Sequence, residues 1–249
     1  MSRLEKKTII ITGACGDVGQ ALTKLCYSHG ANLVLADINQ NALDLAAQQY
    51  DDARVKVIKV DVSKEADNAA MADCAINYFG QIDGFVANAA ISGKMSAIED
   101  MELDDLTSVL NINLVGPWLG VRSIAKEIKK QGGSIVITSS VGGITGAPFV
   151  SNYVASKHGV VGLMRSLSLE MGDDNVRVNC VCPTGIEGRM INDIAAQLGE
   201  EIKTGAVSRQ SIKRLAKPED VAQMMVFLLS DESQLCTGGC YNVDGGYST

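Results

Sequence analysis

Thr8-Ile9-Ile10-Ile11-Thr12-Gly13-Ala14-Cys15-Gly16-Asp17-Val18-Gly19 is the stretch on which the reading of this chain turns. Five uncharged, β-branched residues run together, glycines end the run, and an amphipathic pattern from Val18 to Ser28 follows. A strand apolar along its whole length is covered on both faces, as in a parallel sheet whose crossovers are helices. A glycine turn between such a strand and a helix lets backbone N–H groups approach a phosphate while the helix aims its positive end at the same charge. The stretch therefore reads as a dinucleotide cradle, against the plainer alternative of an ordinary strand-to-helix turn.

The same alternation continues along the chain. Further strands are expected at Asn32 to Ala36, Val55 to Val60, Gly84 to Asn88, Ser134 to Ser139, Val176 to Val181 and Tyr241 to Val243. Helical spacing marks Gln40 to Gln49, Lys64 to Tyr78, Leu103 to Lys130, Asn152 to Met171 and Pro218 to Leu229. The expected class is α/β, with seven parallel strands. Only four prolines occur, and no linker, charge block or repeat divides the 249 residues, so one domain spanning 1–249 is expected. Within it, about 184–216 is weakly patterned, with a weak helix near Asn192 to Leu198, and reads as a substrate-loop insertion.

Composition narrows the partners. Twenty-two basic against 29 acidic side chains give a net charge of −7, which offers no positive field to a nucleic acid or an anionic membrane. The expected partner is a small molecule. The seven cysteines, at 15, 26, 74, 180, 182, 236 and 240, lack the paired spacing of a zinc site or redox dithiol, and reduced, buried thiols are expected. No leader-like or membrane-length apolar run is present, so a cytoplasmic protein is expected.

The second strand ends at Asp37, 18 residues beyond Gly19, where a carboxylate can accept hydrogen bonds from the adenosine ribose hydroxyls. A 2′-phosphate there would meet a like charge; at 4 Å and an effective dielectric near 20 the repulsion is about 4 kcal/mol. NAD is therefore expected over NADP. The alternative is that Asp37 caps the helix beginning near Asn39.

Ser140 closes the fifth strand, Tyr153 and Lys157 follow it as Tyr-x-x-x-Lys, and Asn113 lies in the fourth helix. With the cradle, Asp61-Val62 and Asn88-Ala89-Ala90, these residues make the chain resemble the short-chain dehydrogenase/reductase family from Lys7 to Gly246. The resemblance implies a Rossmann-type, doubly wound sheet with helices on both faces. It implies that Gly13 and Gly19 line the pyrophosphate, Asp37 holds the ribose, Asp61 and Val62 flank the adenine, and Asn88 stabilises the central sheet. Cys15, Asp17, Val18, Ala89, Ala90, Tyr153, Lys157, Pro183, Thr184 and Ile186 complete the expected cofactor-binding set. Asn113, Ser140, Tyr153 and Lys157 match the family's catalytic set, with Asn113 holding a water that connects Lys157 to bulk solvent. Pairing of the fourth and fifth helices between subunits, in a homotetramer, is implied too, and the stripe of Leu110, Leu114, Trp118 and Val121 suits core or subunit contact.

The chemistry can also be reached from the side chains. Moving hydride between a carbinol carbon and nicotinamide requires an acid or base at the neighbouring oxygen. A tyrosine, with a reference pKa of about 10, needs about 4 kcal/mol to ionise at pH 7, and an ammonium one turn along the helix favours its phenolate. Ser140 at a strand end would polarise the substrate oxygen.

Two positions depart from the family's pattern. Asp17 stands where the cradle usually has its middle glycine, and Gly188 where a threonine usually contacts the nicotinamide carboxamide. An outward Asp17, serving as a first-turn acid of its helix, is preferred over one facing the pyrophosphate, which it would repel. Thr184 or backbone groups would stand in for the missing hydroxyl. His29 reads as a helix end and His158 as a helix-surface residue; no histidine pair has metal-ligand spacing, so no metal is expected. Ile91, Met95, Ile144, Phe149, Met190 and Ile191 would give the substrate a mostly apolar rim, with Lys94 and Arg189 available to an anionic tail. The expected activity is NAD-dependent oxidation of a secondary alcohol or reduction of a ketone. The alternative is a non-catalytic NAD-binding regulator or scaffold, and no feature favours dehydration or epimerisation.

Overall fold

In the computed structural model, which describes residues 2–249, Ile9 and Ile11 enter one apolar core and Ile10 the other, all three fully buried. Leu33 and Leu35 share the first core while Val34 and Ala36 face the second. Each such side chain removed from water contributes about 1.5–3 kcal/mol, and a sheet apolar on both sides collects that contribution twice. The continuous apolar runs are therefore the cause of the two-sided architecture.

The strands are β1 (Thr8–Thr12), β2 (Asn32–Asp37), β3 (Val55–Lys59), β4 (Gly84–Ala87), β5 (Gly133–Thr138), β6 (Val176–Pro183) and β7 (Cys240–Val243). They form one parallel seven-stranded sheet in the order β3-β2-β1-β4-β5-β6-β7. The helices are α1 (Asp17–Ser28), α2 (Gln40–Ala47), α3 (Glu65–Phe79), α4 (Leu103–Leu110), α5 (Gly116–Ile128), α6 (Ser151–Glu170), α7 (Arg189–Leu198), α8 (Glu201–Arg209) and α9 (Pro218–Leu229). Leu22, Leu43 and Val226, from α1, α2 and α9, cover one face. Met71, Val121 and Met164, from α3, α5 and α6, cover the other. This is the doubly wound Rossmann-type α/β fold expected from the sequence.

Expected strand limits are met within one or two residues. The long helix expected over Leu103 to Lys130 is instead two helices joined by a π-helical turn at Asn111–Val115. Pro117 supplies the reason: it has no N–H for the Asn113 carbonyl four residues back, and the chain widens there, with the Gly116 N–H reaching Asn111 O five residues back. Helix α8 has no counterpart in the sequence reading. None of its residues is buried, so it carries no apolar stripe by which a helix is recognised.

The winding reverses between β1 and β4, and a crevice opens there beyond the carboxyl ends of the strands, where ligands of such sheets bind. His29 caps α1, and all seven cysteines are free thiols, of which Cys26, Cys180 and Cys182 are fully buried and the other four partly so. Among the described residues no helix is long and apolar enough to cross a membrane.

Candidate active site

The turn after β1 brings Gly13, Cys15, Asp17, Val18 and Gly19 to the mouth of that crevice. Gly19 packs so closely on the turn that a Cβ there would overlap the Gly13 carbonyl oxygen. Gly16 caps α1 without a side-chain acceptor, so the amides of the helix's first turn face outward with no intrahelical partner. Unpartnered amides, a close-packed glycine and a helix positive end suit a diphosphate.

Asp37, closing β2, accepts the Cys15 N–H at 3.0 Å and the Asn39 N–H at 3.1 Å. The cap of α2 is Asn39, whose side chain accepts the Ala42 N–H at 3.1 Å, so the capping alternative for Asp37 does not hold. Burial and the neighbouring Asp37 carboxylate push the Cys15 thiol up to about 11, keeping it protonated beside the cradle. No lysine or arginine occurs in 13–19 or 36–40, the two segments that flank this carboxylate. Asp61 accepts both the amide and the hydroxyl of Ser63, and the hydroxyl holds its carboxyl below the ordinary range; Val62 beside it is buried.

The strand ends are cross-tied. The Thr12 hydroxyl accepts the N–H groups of Asn88 at 3.0 Å and Ala89 at 3.3 Å. Asn88 Nδ2 donates to Gly13 O at 3.2 Å, and Asn88 Oδ1 accepts the Thr138 hydroxyl at 3.1 Å. Asn88 thereby links the ends of β1 and β5. Ala90 and Ile91 continue the same loop, and Asn113 grips it from the π turn, accepting Ile91 N–H and donating to Ile91 O, each at 2.9 Å. Asn113 also donates to Ser156 Oγ at 3.1 Å, which in turn donates to Tyr153 O at 2.7 Å.

Ser140, Tyr153 and Lys157 converge beyond β5. The Gly142 N–H donates to Ser140 Oγ at 3.1 Å, which leaves the serine proton free to be donated, and Ser140 Oγ and the Tyr153 ring both lie against Gly142. Burial pushes the Tyr153 phenol above its ordinary value, and the Ser140 hydrogen bond pulls it back. Burial, and not the acidification expected from Lys157, governs the phenol. Lys157 is itself buried, with its ammonium donating to Thr138 O at 2.8 Å and lying 5.6 Å from the Tyr153 ring centroid. Burial lowers its pKa from 10.5 to about 8.

At the opposite rim, Pro183 ends β6, and Gly185 to Glu187 pair with Ala216 through the Ala216 N–H to Gly185 O at 3.0 Å and the Glu187 N–H to Ala216 O at 2.8 Å, which places Ile186 at the crevice edge. Thr184 does not replace the hydroxyl missing at 188: it is buried, and its hydroxyl shares a hydrogen bond with the Gln210 amide at 3.1 Å. Lys94 pairs with Asp105 at 3.2 Å and donates to Asp100 O at 2.8 Å. His158 is exposed on α6.

Two site residues escaped the sequence reading. Asn152 is fully buried beside Tyr153; it accepts the Tyr153 N–H at 2.7 Å and donates to Lys94 O at 3.1 Å and Asp105 O at 3.2 Å. An asparagine in a helix's first turn was the available signal. Gln197 accepts the Met95 N–H at 3.1 Å and donates to Gly93 O at 3.4 Å, drawing the end of α7 onto the loop after β4, and nothing local in the sequence marks it.

Comparison with known proteins agrees with this fold. Residues 13–248 match a family profile described as enoyl-(acyl carrier protein) reductase. The chain is 36% identical to the 3-oxoacyl-[acyl-carrier-protein] reductase FabG of Thermotoga maritima, over 98% of each chain. It is 34% identical to levodione reductase of Leifsonia aquatica, over 99% of this chain and 96% of that one. A crystal structure of levodione reductase superposes with a TM-score of 0.93 at 33% identity, covering 98% of both chains. A short-chain dehydrogenase/reductase structure from Brucella melitensis does so at 0.93 and 31%, covering 99% of this chain and 98% of that one. The chain belongs to the short-chain dehydrogenase/reductase family. It is an oxidoreductase of CH–OH and C=O groups in small molecules, in a family that binds nicotinamide cofactors.

The buried lysine gives a stability signature. Folding lowers the Lys157 pKa, so between pH 8 and 10.5 the unfolded chain holds a proton that the folded chain has released. Stability contributed by this group therefore rises with pH across that window, and at pH 7 the buried charge costs about 3 kcal/mol. Lys157→Met is expected to remove the rise and to stabilise the protein at pH 7 by about 1–3 kcal/mol in urea unfolding. An undiminished rise in the variant would assign the effect to another group.

Proposed function

We propose that the chain is an NAD-preferring dehydrogenase or ketoreductase of secondary alcohols and ketones, with Tyr153 as the general acid and base. The observation that carries this reading is the convergence of Ser140 and Tyr153 at Gly142, beyond the end of β5, with Lys157 one turn further along α6 and its ammonium 5.6 Å from the Tyr153 ring centroid. Bound across the cradle, a nicotinamide dinucleotide would supply hydride exchange with the substrate carbon. Gly13, Val18 and Gly19 would hold its diphosphate, Asp37 its adenosine ribose, Asp61 and Val62 its adenine, and Ala89, Ala90, Pro183 and Ile186 its nicotinamide half.

Ser140 donates a hydrogen bond to the substrate oxygen and orients it. In reduction, Tyr153 gives its proton to that oxygen as negative charge develops there; in oxidation, it accepts the proton. Burial holds the phenol protonated, which suits the reductive direction, and the positive ring of the oxidised cofactor favours the phenolate for the reverse. Lys157, reached from solvent by way of Asn113 and its loop, restores the proton. Tyr153→Phe removes the acid while keeping the ring, so turnover should fall by about 10²- to 10⁴-fold with NADH affinity retained. A variant with most of its rate would exclude Tyr153 from proton transfer.

Three observations support NAD over NADP: the Asp37 carboxylate, its anchoring by two amides, and the absence of a cation in the adjoining segments. Asp37→Ser should therefore raise NADP(H) affinity by at least tenfold and weaken NAD(H), as read by cofactor titration; unchanged discrimination would place the selectivity elsewhere. Some similar proteins are named for levodione and for borneol, as with the borneol dehydrogenase of Lavandula x intermedia, 36% identical over the whole of this chain and 93% of its own. The apolar rim of Ile144, Phe149 and Met190 fits a largely apolar substrate of this kind. Trp118, Leu103 and Leu169 are exposed on α5, α4 and α6, which supports subunit pairing through these helices in a homotetramer.

A panel of cyclic and open-chain alcohols and ketones, followed by the absorbance of reduced nicotinamide, tests the whole reading. Hydride transfer to any member supports it. Cofactor binding without turnover of any member would favour a binding regulator instead.

A further inference from the structure

Asp17 and Gly188 are the two places where the chain departs from its family's pattern, and the fold puts them in contact. Asp17 is the first residue of α1, at the lip of the cradle, and its Oδ2 accepts the Arg189 N–H at 2.8 Å. Arg189 is the first residue of α7, so its amide has no acceptor within its own helix. The capping residue of α7, Gly188, has no side chain to serve it. The cap comes instead from a residue 172 positions earlier in the chain.

The contact also dictates what 188 can be. Gly188 has φ +136°, a conformation that residues with a Cβ rarely adopt, and a Cβ built there would collide with the Asp17 carboxylate. A threonine at 188 and an aspartate at 17 would compete for one space. At the far end of α7, Gln197 is bound to Met95 and Gly93. The helix that carries Met190, Ile191 and Ile194 thus lies across the crevice fastened at both ends.

We propose that Asp17 and Gly188 are a matched pair of positioning residues that fasten the substrate helix to the cofactor cradle through the protein itself, before any cofactor binds. In the family's pattern a hydroxyl at 188 ties this segment to the nicotinamide carboxamide. Here the carboxylate at 17 takes the place of that tie, so the order of α7 does not wait on the cofactor. Asp17 is accordingly a first-turn acid of α1 whose carboxylate meets the substrate segment. The inference rests on the cofactor reading above only where NADH is used as a probe.

Amide hydrogen exchange over residues 188–192, with a peptide from α9 as the control for global folding, tests the pair in the intact protein. In the cofactor-free wild type this segment should be protected already, with saturating NADH adding less than threefold. Asp17→Ala should speed its exchange at least tenfold without NADH. Asp17→Asn, which keeps an acceptor oxygen, should restore most of the protection, as a general loss of packing would not. Gly188→Thr should also speed exchange, and Asp17→Gly added to it should, with NADH saturating, return protection toward wild type rather than remove more.

Wild-type exchange in Asp17→Ala, protection of the wild type that appears only with NADH, or simple addition of the Asp17→Gly and Gly188→Thr effects would each overturn the proposal. If NADH binds none of the proteins, the cofactor reading fails, while the cofactor-free comparison still decides the pairing.

Discussion

One run of hydrogen bonds joins the cradle to the lysine. The Gly13 carbonyl accepts Asn88 Nδ2, Asn88 Oδ1 accepts the Thr138 hydroxyl, and the Thr138 carbonyl accepts the Lys157 ammonium. It crosses the ends of β1, β4 and β5, where the winding reverses and the sheet would otherwise part around a polar opening. Buried polar groups left unpaired there would each cost about 1–3 kcal/mol, so each link holds its neighbour in place. The distance between the diphosphate cradle and the proposed proton-transfer groups is thereby set by backbone and amide geometry rather than by flexible side chains.

Much of this was legible from the chain because the governing signals are local. Ile9 to Ile11 and Leu33 to Ala36 state in their own composition that both faces are covered, and the turn at Gly13 to Gly19 follows directly. The spacing of Tyr153 and Lys157 fixes a shared helix face whatever surrounds it. What stayed hidden depends on meetings between distant segments. The pull of burial on the Tyr153 phenol, the engagement of Lys94 by Asp105 and of Thr184 by Gln210, and the hold of Gln197 on Gly93 need the folded chain before they exist. Helix α8 was invisible for a different reason, since it buries nothing and so leaves no periodic trace.

The site also shows where the fold accepts a cost. An ammonium enclosed in the protein interior is unfavourable, and Lys157 is held there by the Thr138 carbonyl. Phe149, exposed at the rim, adopts φ +65°, a left-handed conformation uncommon for an aromatic residue.

Pro117 has a reach that its place in the chain does not suggest. A regular helix turns by about 100° per residue, so the extra residue taken up by the widened turn rotates everything after it by roughly that angle. The phase of α5 is thereby set: Val121, Ile124 and Ile128 point into the sheet and Trp118 points away from it. The same imino acid that relieves the Asn113 carbonyl of a regular helical partner thus acts as a cam, aligning the outer surface of the molecule with its reaction centre.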